Sequence, residues 1–252
     1  MAGRHVIDLS GKTALVTGGS RGLGREIALA YAEAGADIVV ASRKLDACAA
    51  VAAEVEAMGR AALPVAANVA RWEDCDTLIE AAYARFGKID ILVNNAGKSP
   101  LYDSLTDIDE RLYDSVLDLN LKGPFRLSAV IGERMAAGDG GAIVNVSSFA
   151  AIRPRAHIVT YAAAKAGLNA MTEAMAEALG PKVRVNCIMP GPFLTDISKA
   201  WDMAAFQQRA EERIALKRGG EPGEIVGAAL YLASDHASFT TGAIIRIDGG
   251  AM

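Results

Sequence analysis

From residue 13 onward the chain exchanges short β-branched runs for longer alanine-rich stretches of helical period, and this regular exchange restricts its architecture more than any other feature. The β-like runs fall at 13–17, 37–41, 61–66, 89–93, 142–147, 183–188 and 243–248. Each is apolar almost throughout, whereas a strand with one wet face would alternate, so burial on both sides is expected. The helical stretches fall at 24–35, 44–59, 74–87, 107–137, 161–180 and 221–234, and several close on glycine. Together they predict an α/β fold with a doubly wound parallel sheet of seven strands and helices on both faces. Pro64 lies inside the third run and lacks the N–H of a ladder donor, which favours an edge position for that strand.

The length of 252 residues, 52% of them hydrophobic, suits one α/β domain over 1–252. Residues 190–220 mix breakers, aromatics and a helical pattern, and are read as a substrate-binding lid within it. The 26 Lys and Arg are dispersed and the formal net charge is -4, which argues against a nucleic-acid partner. No export signal precedes the first run and no segment reaches about 18 apolar residues, so no membrane partner and a cytoplasmic location are expected. Cys48, Cys75 and Cys187 form no CxxC pair, and His5 and His236 have no metal-ligand spacing, so neither a disulfide framework nor a metal site is expected.

The first run leads directly into TGGSRGLGR at 17–25. Glycines at 18, 22 and 24 allow tight bending and close backbone approach, and free N–H groups at the start of a helix can face a pyrophosphate. A strand-to-helix junction is where an open parallel sheet offers such a site. No Lys followed by Ser or Thr comes after these glycines, so Walker-type phosphate transfer is disfavoured. The second run ends in Ala41, Ser42, Arg43 and Lys44, without the acid that would hold a ribose diol and repel a 2′-phosphate. Arg43 offers a planar donor fork there, Ser42 a hydroxyl, and Arg21 could approach from the glycine-rich turn, which favours NADP(H) over NAD(H). NNAGK at 94–98 follows the fourth run, where Ala96 and Gly97 permit backbone approach and the Asn amides can secure the turn.

The strongest chemical pattern is VNVSSF at 144–149 followed by Tyr161 and Lys165. Four residues apart on a helix, Tyr161 and Lys165 share a face, so the ammonium is expected to lower the phenol's pKa and ease proton exchange. Ser148 can hydrogen-bond a carbonyl or alcohol oxygen; Ser147, on the opposite side of the strand, is the weaker candidate. Asn120 falls within the expected long helix, where asparagine has low propensity. An inward amide could hold a water that relays protons to Lys165, while an outward one would have no role.

In the order and spacing of TGGSRGLG, NNAG, Asn120, Ser148, Tyr161 with Lys165, Pro190 with Gly191, and the terminal DGG at 248–250, the chain resembles the short-chain dehydrogenase/reductase family, in its classical subgroup, over nearly its whole length. The resemblance implies a Rossmann-like sheet and a catalytic set of Asn120, Ser148, Tyr161 and Lys165, with protons relayed from water through Lys165 to Tyr161. It implies cofactor contacts from Thr17, Gly18, Ser20, Arg21, Gly22, Leu23, Gly24, Ser42, Arg43, Asn68, Val69, Asn94, Ala96, Gly97, Tyr161, Lys165, Pro190, Gly191 and Thr195. Asn68 stands where relatives commonly have Asp, and an amide can still bond adenine. A homotetramer is a further implication, built through the long helices and the last strand.

The expected activity is therefore NADP(H)-dependent hydride transfer to or from the carbon of a small carbonyl compound or alcohol. Alternatives are an NAD-dependent sugar, polyol or gluconate dehydrogenase, a 3-oxoacyl thioester reductase, a dehydratase or epimerase on the same fold, and a nucleotide-binding sensor without turnover. An acidic carrier protein would want a basic rim, but Arg134 is offset by Glu133 and Asp139, leaving Lys182 and Arg184 as contacts or as flanking charges. Lys98, Arg153, Arg155 and His157 could bind an anionic substrate or simply face solvent. Phe149, Phe193, Trp201, Met203 and Phe206 could wall an apolar pocket or pack on one another.

Overall fold

Seven wholly parallel strands form one sheet in the order β3-β2-β1-β4-β5-β6-β7. The computed structural model describes residues 6–196, 198 and 201–252. Residues 1–5 of the expected N-terminal arm, His5 among them, and Ile197, Lys199 and Ala200 of the segment read as a lid lie outside the described residues.

The strands are β1 (Thr13–Thr17), β2 (Asp37–Ser42), β3 (Ala62–Ala66), β4 (Ile91–Asn94), β5 (Gly141–Val146), β6 (Val183–Pro190) and β7 (Ile244–Ile247). The central strands are buried along their length, as their unbroken apolar character requires. β3 is an edge strand, and Pro64 pairs in register with Val40 on its inner side. Strand order reverses between β1 and β4, so the crevice that binds ligands in open α/β sheets opens above their carboxyl ends.

Helices α1 (Gly22–Glu33), α2 (Leu45–Ala57) and α3 (Trp72–Phe86) connect the first four strands. The expected single helix at 107–137 is instead α4 (Glu110–Leu117), a five-residue π-helical turn (Asp118–Lys122) and α5 (Gly123–Ala137). α6 (Val159–Ala178), α7 (Met203–Arg213) and α8 (Val226–Ala233) complete the set. Two apolar layers flank the sheet: Ile27, Tyr31 and Leu232 belong to one, Leu78, Leu127 and Ile131 to the other.

Local chemistry explains the break in the long helix. Gly123 passes so close to the segment after β3 that a Cβ there would meet Val69 O at 2.0 Å. Asn120 turns its amide inward, donating to Val116 O at 2.9 Å, and a wide π-helical turn accommodates this competing side chain. Arg184 of β6 turns inward too, donating to the carbonyls of Leu232 at 2.9 Å and Ser234 at 3.1 Å where α8 ends.

Candidate active site

The glycine-rich turn is shaped by contacts that leave no room for side chains. Gly18 and Gly22 have φ of +64° and +54°. A Cβ on Gly24 would lie 2.3 Å from Asn95 Nδ2 and 2.4 Å from Gly18 O, so α1 starts hard against the end of β4. No side chain caps α1, whose N-cap is Arg21, so its first-turn N–H groups remain available to an anion. These bare glycines and the uncapped helix start fit the pyrophosphate of a dinucleotide.

Asn95 secures this arrangement by donating from Nδ2 to Thr17 O at 2.9 Å and Gly18 O at 3.2 Å. Thr17 turns its side chain inward. Its hydroxyl is buried, accepts from the N–H groups of Asn95 and Ala96, and donates to Val93 O, so it joins β1 to β4 instead of facing the cleft. The Asn94 side chain is buried too, its Nδ2 donating to Ser128 Oγ at 2.8 Å and Asn145 Oδ1 at 2.9 Å. Asn95, absent from the expected contacts, is the asparagine that shapes the glycine-rich turn, and its place within NNAG was the available signal.

At the adenosine side, Arg43 is exposed just after β2, while the Ser42 hydroxyl lies 3.0 Å from Cys48 Sγ. Asn68 Oδ1 accepts from Ala70 N at 3.3 Å, leaving its amide hydrogens for a ligand, and Val69 is buried beside it. Ser20 and Leu23 are half-buried in the turn and first helical residues. Lys98 is half-buried after NNAG, where burial and then the charge of Arg43 push its pKa down while Asp118 pulls it up. Residues 43 and 98 follow β2 and β4, which flank β1 and its glycine-rich turn, so two cations overlook the same crevice.

Asn120 is fully buried and clamps the NNAG turn from behind: Nδ2 donates to Lys98 O at 3.0 Å, and Oδ1 accepts from Lys98 N at 3.3 Å. A Cβ on Gly97 would lie 2.8 Å from Asn120 Oδ1 and 3.7 Å from Lys165 Nζ, so the two side chains face one another across a bare Cα. Lys165 is buried and donates to Val146 O at 2.7 Å. Burial lowers its pKa to about 8. Its Nζ stands 5.8 Å from the centroid of the Tyr161 ring, one turn earlier on α6.

The Tyr161 phenol is held above its ordinary pKa by burial, while a hydrogen bond with Ser148 pulls it down. The opposing influence in the free protein is thus Ser148, not the Lys165 charge anticipated from spacing. Ser148 ends the turn after β5, and its hydroxyl also accepts from Ala150 N at 3.1 Å. Ser147 points inward and donates to Lys165 O at 3.2 Å, supporting α6 from below. The structure therefore brings Asn120, Ser148, Tyr161 and Lys165 to one end of the crevice.

On the far wall, Pro190 closes β6 and Gly191 passes close to Asp248, 2.7 Å separating the Asp248 Cα from a Cβ built on the glycine. Thr195 approaches the glycine-rich turn, its Cβ 3.7 Å from the methyl position of Gly22. The aromatics of the following segment pack on one another: Trp201 and Phe206 lie 5.1 Å apart and share a cluster with Phe149, Leu194, Ile214 and Ala251. Arg153, Arg155 and His157 are exposed on the loop between Ser148 and Tyr161. Lys182 donates to Gly138 O and Arg184 is engaged at the end of α8, so neither stands free on a carrier-binding rim.

Comparison with known proteins decides the family. A family model described as enoyl-(acyl carrier protein) reductase matches residues 18–252. A short-chain type dehydrogenase/reductase from Mycobacterium marinum superposes with a TM-score of 0.90 at 36% identity, covering 97% of both chains. This chain belongs to the short-chain dehydrogenase/reductase family. L-rhamnose 1-dehydrogenase (NAD(P)(+)) of Azotobacter vinelandii is 38% identical over 95% of this chain and 96% of its own. A 7α-hydroxysteroid dehydrogenase solved with NADH and 7-oxo glycochenodeoxycholic acid has a TM-score of 0.94 at 33% identity, covering 100% of this chain and 98% of its own. As a short-chain dehydrogenase/reductase, the protein is an oxidoreductase that uses a nicotinamide cofactor and acts on carbonyl or alcohol substrates. Among the described residues no helix is long and apolar enough to cross a membrane.

Proposed function

We propose that the chain is an NADP(H)-dependent carbonyl reductase or alcohol dehydrogenase in which Tyr161 exchanges a proton with the substrate oxygen. The convergence of Ser148, Tyr161, Lys165 and Asn120 behind Gly97 carries this reading. The cofactor, when bound, donates the hydride in reduction and accepts it in oxidation. Its pyrophosphate would be held by the backbone of Gly18, Ser20, Gly22, Leu23 and Gly24. Its adenosine end would meet Arg21, Arg43, Asn68 and Val69, and its nicotinamide end Tyr161, Lys165, Pro190, Gly191 and Thr195.

Tyr161 gives its proton to a carbonyl oxygen on reduction and takes one from an alcohol on oxidation. Burial favours the protonated phenol, the form needed to reduce a carbonyl. Ser148, close enough to influence that phenol, directs a hydrogen bond to the substrate oxygen and stabilises its developing charge. Lys165, with a pKa of about 8, exchanges protons close to neutral pH and restores the phenol. Asn120 fixes the backbone of Lys98 opposite Lys165, framing a place for a relaying water.

The NADP(H) preference is supported by Arg21, Arg43 and Lys98 about the crevice and by the absence of an acid at 41–44. Engagement of Lys182 and Arg184 in structural hydrogen bonds favours a small free substrate over a carrier-bound one. We read 1–252 as one domain with residues 190–220 as its lid, working in the cytoplasm as a homotetramer. Exposed Tyr113 and Phe125 on the long helices, and Phe239 near β7, support the assembly. Light scattering after gel filtration tests it, and a monomer would refute it.

The enzymatic reading is tested by following cofactor absorbance with NADPH and with NADH against β-keto esters, acyl thioesters, sugar acids and small diketones. Turnover with NADPH is expected. Tyr161→Phe should lower kcat by about 10²- to 10⁴-fold while sparing NADPH affinity, the loss typical of a removed acid–base group. Unchanged turnover would remove Tyr161 from the chemistry, and binding without turnover would favour the sensor.

A further inference from the structure

Arg21 Nη1 lies 3.7 Å from Asp196 Oδ2, across the opening of the crevice. Arg21 belongs to the glycine-rich turn and Asp196 to the segment after β6, so the pair joins the two walls. Arg21, Gly22, Thr195 and Asp196 line a single open cavity of about 540 Å³. On its other flank the turn is tied to β2, Gly19 N donating to Ala41 O at 3.3 Å. The turn that carries Arg21 therefore runs between the Ser42–Arg43 end of β2 and the carboxylate of Asp196. The two side chains are 67% and 39% exposed, so their attraction is solvent-screened and can be exchanged for a stronger one.

We propose that Asp196 sets the cofactor preference of this enzyme by competing with the 2′-phosphate of NADP(H) for Arg21. The inference rests on reading Arg21 as a phosphate contact. A guanidinium forms stronger charge-assisted bonds with a phosphate dianion than with an exposed carboxylate. To make them, Arg21 turns from Asp196 toward β2, and the ion pair between the walls is given up. NAD(H) carries a neutral hydroxyl at that place and leaves the Arg21–Asp196 pair intact. Asp196 thus weakens NADP(H) binding selectively, acts through Arg21, and narrows the gap between the two cofactors.

The test is fluorescence titration of the full chain with NADPH and with NADH, for the wild type, Asp196→Asn, Arg21→Gln and the double variant. Asp196→Asn should tighten NADPH binding by about two- to fivefold, the range set by an exposed ion pair, and move NADH binding less. NADH affinity doubles as the control for an intact cleft, and Asp196→Ala provides a second variant. In the Arg21→Gln background the gain should vanish. A gain that persists there would mean direct repulsion between carboxylate and phosphate and would overturn the competition. If Arg21→Gln weakens NADPH while neither Asp196 variant changes the NADPH to NADH ratio, this inference alone fails. If Arg21→Gln leaves NADPH affinity unchanged, the phosphate reading of Arg21 fails, and the inference with it.

Discussion

The two walls of the crevice are built differently. The wall formed by β1, β4 and the start of α1 is held by backbone contacts and buried amides: Gly24 against Gly18, Asn95 on Thr17 and Gly18, Asn120 on Lys98. In the opposite wall, from Pro190 to Gly220, backbone hydrogen bonds tie the two ends, Leu194 N to Gly220 O at 2.8 Å and Leu216 N to Gly249 O at 3.0 Å, while the exposed Arg21–Asp196 pair and a small aromatic cluster around Phe206 add the side-chain contacts. Backbone contacts and buried hydrogen bonds resist displacement, because any shift leaves polar groups unpaired. Exposed charge and a satellite cluster resist displacement less, so the second wall can move between its backbone ties at lower cost. The first is suited to fix a cofactor, and the second is the wall proposed above to act as the lid.

Introducing bulk into the rigid wall should have the largest effect. Gly24→Val places its Cβ against Asn95 Nδ2 and a backbone carbonyl, neither of which can yield. A loss of about 3 kcal/mol or more in urea-unfolding stability is expected, together with loss of cofactor binding. Tolerance of valine would erase the contrast between the walls. Phe206→Ala in the second wall should remove about 2–3 kcal/mol locally, since Phe206 packs in a small cluster. Raised KM with nearly preserved NADPH affinity would sharpen the contrast, whereas loss of global stability equal to that of Gly24→Val would break it.

The rigid wall also confines a buried ammonium. With the Lys165 pKa lowered from 10.5 to about 8, the unfolded chain binds more protons than the fold between those values. The cost of burying the charged form is therefore present in full below pH 8 and is relieved as pH rises toward 10.5. Urea titrations from pH 7 upward should show Lys165→Met losing this pH-dependent contribution relative to the wild type. Identical profiles for the two proteins would mean that Lys165 is not desolvated. The smallest effect is expected well away from both walls: Gly227 in α8 has open space at its Cβ position. Gly227→Ala should raise stability by about 0.5–1 kcal/mol without changing turnover.

Much of the fold was legible in the sequence because parallel strands announce themselves locally. A run such as 91–93 or 38–41 is apolar on both faces wherever it sits, and Pro64 marked an edge because a missing donor matters in every register. The helix over 107–137 was misread for the complementary reason. Its break at Asp118–Lys122 depends on Val69 O passing beside Gly123 and on the backbone of Lys98 waiting for Asn120, and both partners are remote in the chain. The side-chain directions of Thr17 and Asn94 were hidden in the same way: their residue types suit a ligand, but the Thr17 hydroxyl bonds β4 and the turn after it, and the Asn94 Nδ2 bonds Ser128 and Asn145.

By itself the sequence determined the strand and helix order, the glycine-rich turn, and the placing of Tyr161 and Lys165 on one helical face, because each follows from local sterics and period. Tertiary structure decided which polar groups face the crevice and which hold it together. It alone placed Asn120 opposite Lys165, set Ser148 on the phenol and brought Asp196 to Arg21. The physical reason is that hydrogen bonds and desolvation depend on what packs against a group, and those neighbours are supplied by strands and loops far away in the chain.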